Sequence, residues 1–335
     1  MTFALYFGNR GFFPGELIAS ARDEVKAAVE KLGHKALMLD FELTRNGGVE
    51  TADEGRIYAN FLKEHQGQYD GVILSLPNFG DENGAIAALR DCGVPILIQA
   101  YPDEFGKMDF EHRRDSFCGK FSVMDVFYQY GLAYTIFPPH TVHPSTPAFE
   151  EQLLKFAAVC RIVNKMRRFT IGAIGARTTK FKTVRFDELT LERNGISVDA
   201  LDLSEVFYRV RRVDEKSGEY SAKADALRSY CNWGRIPEDK FAVHVKTSVV
   251  LDQIVKERHL NALALRCWEE FQTELGIAPC VLIGELNNRG MVTACEMDVG
   301  NAVPMYALHQ ASQVPATCLD WNNNYGEEEN KVILF

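Results

Sequence analysis

Glu296 and Asp298 stand two residues apart in the run Ala294-Cys295-Glu296-Met297-Asp298. On a strand, side chains alternate between faces, so these two carboxylates would share one. Carboxylates side by side repel unless a cation or a shared proton relieves them. A hard divalent ion with oxygen ligands is a natural partner. The competing reading turns one side chain inward and uses the other to cap a helix beginning near Gly300. Glu285, in Gly284-Glu285-Leu286-Asn287, is a third candidate, as metal ligand or general base. Its plainer role is a solvated carboxylate at a helix end. Downstream, Asp320, Trp321 and Asn322 follow an apolar stretch. Were that stretch a parallel strand, they would stand at its C-terminal edge, where open α/β sheets bind ligands. Asp320 and Asn322 suit sugar hydroxyls, and Trp321 offers a flat apolar face to a sugar ring. Turn formation competes with that role.

Other chemical signals are weaker. Gly172-Ala-Ile-Gly175-Ala-Arg177 follows a strand, but its glycines are three apart and miss the dinucleotide-binding spacing. A tight turn placing Arg177 in an interdomain cleft fits better. His140 and His143 resemble a metal pair but lie among Pro138, Pro139, Pro144 and Pro147, hence in a rigid loop. The sequence holds no GxSxG elbow, phosphate-binding Walker loop or HExxH. Arg177, Lys180, Lys182 and Arg185 would suit a sulfonated or phosphorylated sugar, or form a solvated face.

These residues need a scaffold, and the flanking pattern supplies one. Phe3–Phe7, Lys35–Asp40, Gly71–Leu76 and Val94–Ala100 read as strands. Leu17–Leu32, Asp53–Lys63 and Asn83–Arg90 carry helical spacing between them. Apolar strands separated by helices predict a parallel sheet covered on both faces. Phe149–Met166 reads as a long amphipathic helix, and the rhythm then restarts. Phe169–Ile174, Ser197–Leu203 and Asn261–Leu265 are the next strands, with helices over Phe186–Arg193 and Asp239–His259. Two Rossmann-like α/β domains follow, over 1–167 and 168–335. The composition agrees, with 46% hydrophobic and 25% charged residues in 335. A net charge of −9 excludes nucleic acid or an anionic membrane as the main partner. No apolar run approaches the roughly 20 residues that span a bilayer. Eight cysteines without a CxxC pair, and no signal segment, point to a reduced cytoplasmic protein. Lys331–Phe335 is apolar with no polar tail, so the chain is expected to be cut short in mid-strand.

Several segments taken together resemble the L-fucose isomerase-like family, in its short bacterial branch. They are Asp115-Ser-Phe-Cys-Gly-Lys-Phe-Ser122 before Gln129-Tyr130-Gly131, Cys160-Arg-Ile-Val163, Ile171–Arg177, Phe181-Lys-Thr-Val-Arg185 and Asp202-Leu-Ser-Glu-Val206. Ala262-Leu-Ala-Leu-Arg-Cys-Trp268, Pro279-Cys280, Ala294–Asp298 and Asp320-Trp-Asn322 complete the ordered set, with Asn9-Arg10-Gly11 at the start. The resemblance implies two Rossmann-like domains followed by a β-rich C-terminal domain, expected to be missing from this chain. It implies a divalent metal, usually manganese, acting on an open-chain aldose. The metal polarises the carbonyl, and carboxylates move a proton between C1 and C2 through an enediol. Asp298 matches the family's aspartate ligand, with Glu296 ranked ahead of Glu285 as the glutamate ligand or base. The third ligand, a histidine, is expected just beyond Phe335. Such enzymes tend to be trimers or hexamers, which makes Arg10 and Lys120 candidate substrate contacts in a neighbouring subunit. The alternative is a non-catalytic sugar-binding protein of the same fold.

Overall fold

The computed structural model describes residues 1–334. It divides into two compact units, Met1–Asn164 and the residues from Lys165 onward. In the first unit the elements run β1 (Thr2–Phe7), α1 (Glu16–Lys31), β2 (Lys35–Met38), α2 (Ala52–Glu64), β3 (Gly71–Leu76), α3 (Glu82–Leu89), β4 (Ile96–Ala100), α4 (Ser116–Gln129) and α5 (Pro147–Met166). The strands form one parallel sheet in the order β2-β1-β3-β4. Every residue of β3 is buried, as a strand between two helical layers must be, and its one polar side chain, Ser75, donates to Gln99 Oε1 at 2.6 Å. Alternation divides it between two cores. Ile73 packs with Phe3, Leu5, Phe7 and Leu97 on one face, while Val72, Leu74 and Leu76 pack with Ala4, Tyr6 and Ile98 on the other.

The second unit repeats the plan with β5 (Phe169–Ile174), α6 (Glu188–Arg193), β6 (Ile196–Leu201), α7 (Leu203–Val210), α8 (Gly218–Tyr230), α9 (Glu238–Glu257), β7 (Ala262–Leu265), α10 (Cys280–Asn288), β8 (Val292–Ala294) and α11 (Val299–Ser312). Its parallel sheet has the order β6-β5-β7-β8, the same relative order as in the first unit. Both units are Rossmann-like, as the strand–helix rhythm predicts. Among the described residues, no helix is long and apolar enough to cross a membrane.

Two local expectations are corrected. The strand expected through Ala294–Asp298 stops at Ala294, because Glu296 and Met297 adopt left-handed backbone at φ 61° and 59°. Strand alternation therefore does not set the direction of Glu296 and Asp298. The stretch before Asn322 is not a parallel strand either. Trp321–Tyr325 (β9) is the first arm of an antiparallel hairpin with Glu328–Leu334 (β10), and both arms are exposed along their length. Of the expected terminal strand, residues through Leu334 lie in β10, and Phe335 lies outside the described residues.

Candidate carboxylate site

The short edge strand β8 sets the position of the carboxylates. Its three residues are buried, yet among the described residues its outer edge has no strand to pair with. Asn287, in the last turn of α10, takes that place. Its Nδ2 donates to the carbonyls of Thr293 at 2.9 Å and Ile283 at 3.0 Å, and its Oδ1 accepts from the Thr293 amide at 2.9 Å. The carboxamide thus stands in for the missing strand and satisfies Thr293 on both sides. Beyond Ala294 the chain hooks back over the end of β7. The Met297 amide donates to the Leu265 carbonyl at 3.1 Å, and the Asp298 amide to that of Cys295 at 3.0 Å. Glu296 rides on this left-handed turn. Asp298 then caps α11, its Oδ1 accepting from the Asn301 amide at 2.9 Å and its Oδ2 from Asn301 Nδ2 at 2.6 Å.

At this C-terminal end of the sheet lies a cavity of about 400 Å3, lined by Glu296, Asp298, Asp320, Asn287, Asn301 and Trp321 among others. Burial raises the carboxyl pKa of Glu296 above its ordinary value, and the negative charges of Asp320 and Asp298 raise it further. Burial and the same acidic surroundings push up the thiol of Cys318, on the cavity wall. On the wall itself, Cys295 donates a hydrogen bond that holds the buried Cys267 thiol behind it down to about 7, while Cys295 is raised.

Four of the eight residues singled out by sequence line this one cavity: Glu296, Asp298, Asp320 and Trp321. Asn322 follows on the exposed hairpin arm and is not among the lining residues. Glu285 is not brought to the others. Ile283 and Asn287 face the cavity from α10. A residue midway between two such positions points to the opposite side of a helix. There Glu285 is buried and held by Arg289 Nε at 2.9 Å, with Lys223 Nζ at 3.9 Å. Arg289 also binds Asp252, so this is an ion-pair cluster tying α10 to α9.

Arg10 and Lys120 belong to the first unit. Arg10 follows β1, pairs with Glu82, donates from Nε to the Gly80 carbonyl at 2.8 Å, and lies 4.5 Å over the Phe79 ring. Lys120 lies on the inner face of α4, 2% exposed, with Nζ donating to the His140 carbonyl at 2.9 Å. Burial lowers its pKa to about 8.

The donor chemistry of the cavity suits a hard divalent cation, since Glu296, Asp298 and Asp320 offer carboxylate oxygens and the wall carries no cationic side chain. Among the described residues, no group of three His, Cys, Asp or Glu side chains is placed to hold a metal ion. Asn287 and Asn301 went unnoticed in the sequence. Asn301 had a readable signal, an Asp three residues before it at the start of a helix. Asn287 had none, because its role depends on a strand edge reached through space.

Residues 4–167 match the family model described as the fucose/sulfoquinovose isomerase N-terminal domain. The sulfoquinovose isomerase of Priestia aryabhattai is 26% identical over 283 residues, which cover 82% of this chain and 60% of that protein. That of Alkalicoccus urumqiensis is 25% identical over 279 residues, covering 82% and 61%. The chain therefore spans about 60% of the length of the curated relatives it matches. Among solved structures, a periplasmic solute-binding protein from Actinobacillus succinogenes with bound D-allose covers 94% of this chain and 93% of its own at 11% identity. Its TM-score of 0.23 carries no argument. The matched domain and these relatives support a likeness of the chain to the fucose isomerase-like family.

Proposed function

We propose that the chain is an aldose–ketose isomerase whose second unit holds the reacting end of an open-chain sugar in the carboxylate cavity. The observation that carries this reading is the gathering of Glu296, Asp298 and Asp320 around one cavity at the C-terminal edge of the sheet. The sulfoquinovose isomerases among its relatives support the same reaction class.

Interconversion removes a proton from the carbon beside a carbonyl and returns one to the neighbouring carbon, by way of an enediol. A group that holds and releases that proton works best with a pKa moved toward neutrality. Glu296 stands on the cavity wall beside Asp298 and takes the proton-transfer role; its raised pKa belongs to the metal-free cavity, where burial and acidic neighbours disfavour the anion. Asp298, held at both oxygens by Asn301, is the fixed anionic group. Asp320 accepts a sugar hydroxyl, and the exposed Trp321 ring covers the apolar face of the sugar. Mn2+ or a similar ion would be held by Asp298 and Glu296, with water and sugar oxygens making up the remaining ligands. Such an ion, when bound, polarises the carbonyl and acidifies the adjacent C–H. Arg10 extends the proposal to a trimer or hexamer, in which a neighbour's first unit contacts the sugar; Lys120, buried against the His140 carbonyl, would have to be uncovered to join it.

The test is an NMR assay of the purified protein with Mn2+ against a panel of aldoses that includes L-fucose and sulfoquinovose. Appearance of the matching ketose, abolished by chelator, is expected. Sugar binding in calorimetry that chelator does not change, with no ketose from any aldose, would replace this reading with a non-catalytic sugar-binding protein.

A further inference from the structure

Asp298 is capped in an unusual way. A helix N-cap needs one side-chain oxygen to accept one of the orphan amides of the first turn. Asp298 Oδ1 does this with the backbone amide of Asn301 at 2.9 Å. The second bond, from Asn301 Nδ2 to Oδ2 at 2.6 Å, satisfies no helix amide. It is a side-chain donor spent on the other oxygen of an acid that faces a cavity. Helix capping does not require it, and any residue at position 301 other than proline would supply the first bond. Both side chains line the cavity that also holds Glu296 and Asp320.

We infer that Asn301 is a positioning residue for the candidate centre, its carboxamide locking the Asp298 carboxylate in one orientation toward the cavity. The inference rests on the metal-binding role proposed above for Asp298. A carboxylate tied at both oxygens cannot rotate about its terminal torsion, so its remaining lone pairs keep a fixed direction. Donors of this kind, one shell behind a ligand, orient it, and their loss typically weakens metal affinity by about 10–100-fold. Asn301 touches neither sugar nor reacting atoms in this account and acts only through Asp298.

The experiment is a titration of the full chain with Mn2+ alone, reading free Mn2+ by electron paramagnetic resonance, alongside urea denaturation without metal. Asn301→Ala should weaken Mn2+ binding by about 10–100-fold and barely move the denaturation midpoint, since the backbone amide still caps Oδ1. Asn301→Gln, which keeps a carboxamide donor, should recover much of the affinity. Asn301→Leu, similar in size but without a donor, should weaken binding by the same factor and stands in for alanine if that variant fails to fold. Binding by the alanine or leucine variant within about twofold of the unaltered chain would overturn the inference. So would equal weakening by Gln and Ala, because packing rather than a donor would then be at work. Absence of Mn2+ binding by the unaltered chain is a different failure, which removes the metal reading and this inference with it.

Discussion

Asp298 serves two masters, the first turn of α11 and the cavity, and Asn301 lets it serve both. Replacing it by asparagine keeps a capping oxygen but removes the charge. Asp298→Asn should therefore leave urea stability within about 1 kcal/mol while abolishing Mn2+ binding in the same titration. Asp320 acts at a distance, through charge. In the metal-free protein, Asp320→Asn should lower the titration midpoint of the Glu296 carboxyl, seen by carbon NMR, because one of the repelling charges is gone. A midpoint that stays put would mean that burial and Asp298 raise it without help from Asp320. Lys120 makes a third case. Its folded pKa, about 8, lies below the unfolded value of about 10.4. The unfolded chain thus binds the proton more tightly, and the penalty is complete below pH 8 and fades as pH rises toward 10. Lys120→Met should stabilise the protein by about 1–2 kcal/mol at pH 7, after the His140 carbonyl loses its donor, and by less at pH 10. At this scale the sequence disclosed the paired acids, since their spacing is local. It misled at Glu285, because only the rotation of α10 decides which residue meets the cavity.

Elements were legible in proportion to how fully they bury an apolar face. The strand Gly71–Leu76 and the strand Phe169–Ile174 were read to the residue, because continuous apolar runs in a parallel sheet leave little choice. Three helices escaped. In α8 only Leu227 is buried, so its apolar period is faint. The helix α7 begins straight after β6 behind the Asp202 cap, which let the expected strand run on into it. The helix α4 carries Gly119 in its interior, and its first turns mix exposed Phe117 and Phe121 with buried Ser116 and Lys120. The glycine is there for contact: a Cβ on it would come within 1.9 Å of the Phe79 carbonyl oxygen. Gly119→Ala should shift α4 from the loop after β3 and cost about 1–3 kcal/mol, measured by urea denaturation. Asn287→Ala should cost about 2–3 kcal/mol, since it strips the buried Thr293 amide and carbonyl of their partners at once. An unchanged midpoint would mean that β8 needs no substitute strand.

On the scale of the whole molecule, one topology is used twice, and the candidate chemistry gathers at one end of the second sheet. The two-unit α/β plan was readable because strand and helix signals alternate along both halves. The direction of the chain after Ala294 and the hairpin after Asp320 were not, since left-handed turns and exposed antiparallel pairs leave no apolar period. The gathering of acids survives that misreading, for the hook over β7 and the helix cap bring Glu296 and Asp298 to one cavity by another route. The most direct measurement is anomalous diffraction at the manganese edge from crystals of the protein soaked in Mn2+. A single strong peak is expected in the second unit, touching Asp298 and Glu296 and distant from Glu285. A peak at the Glu285 cluster, or a cavity with no peak at saturating Mn2+, would contradict it.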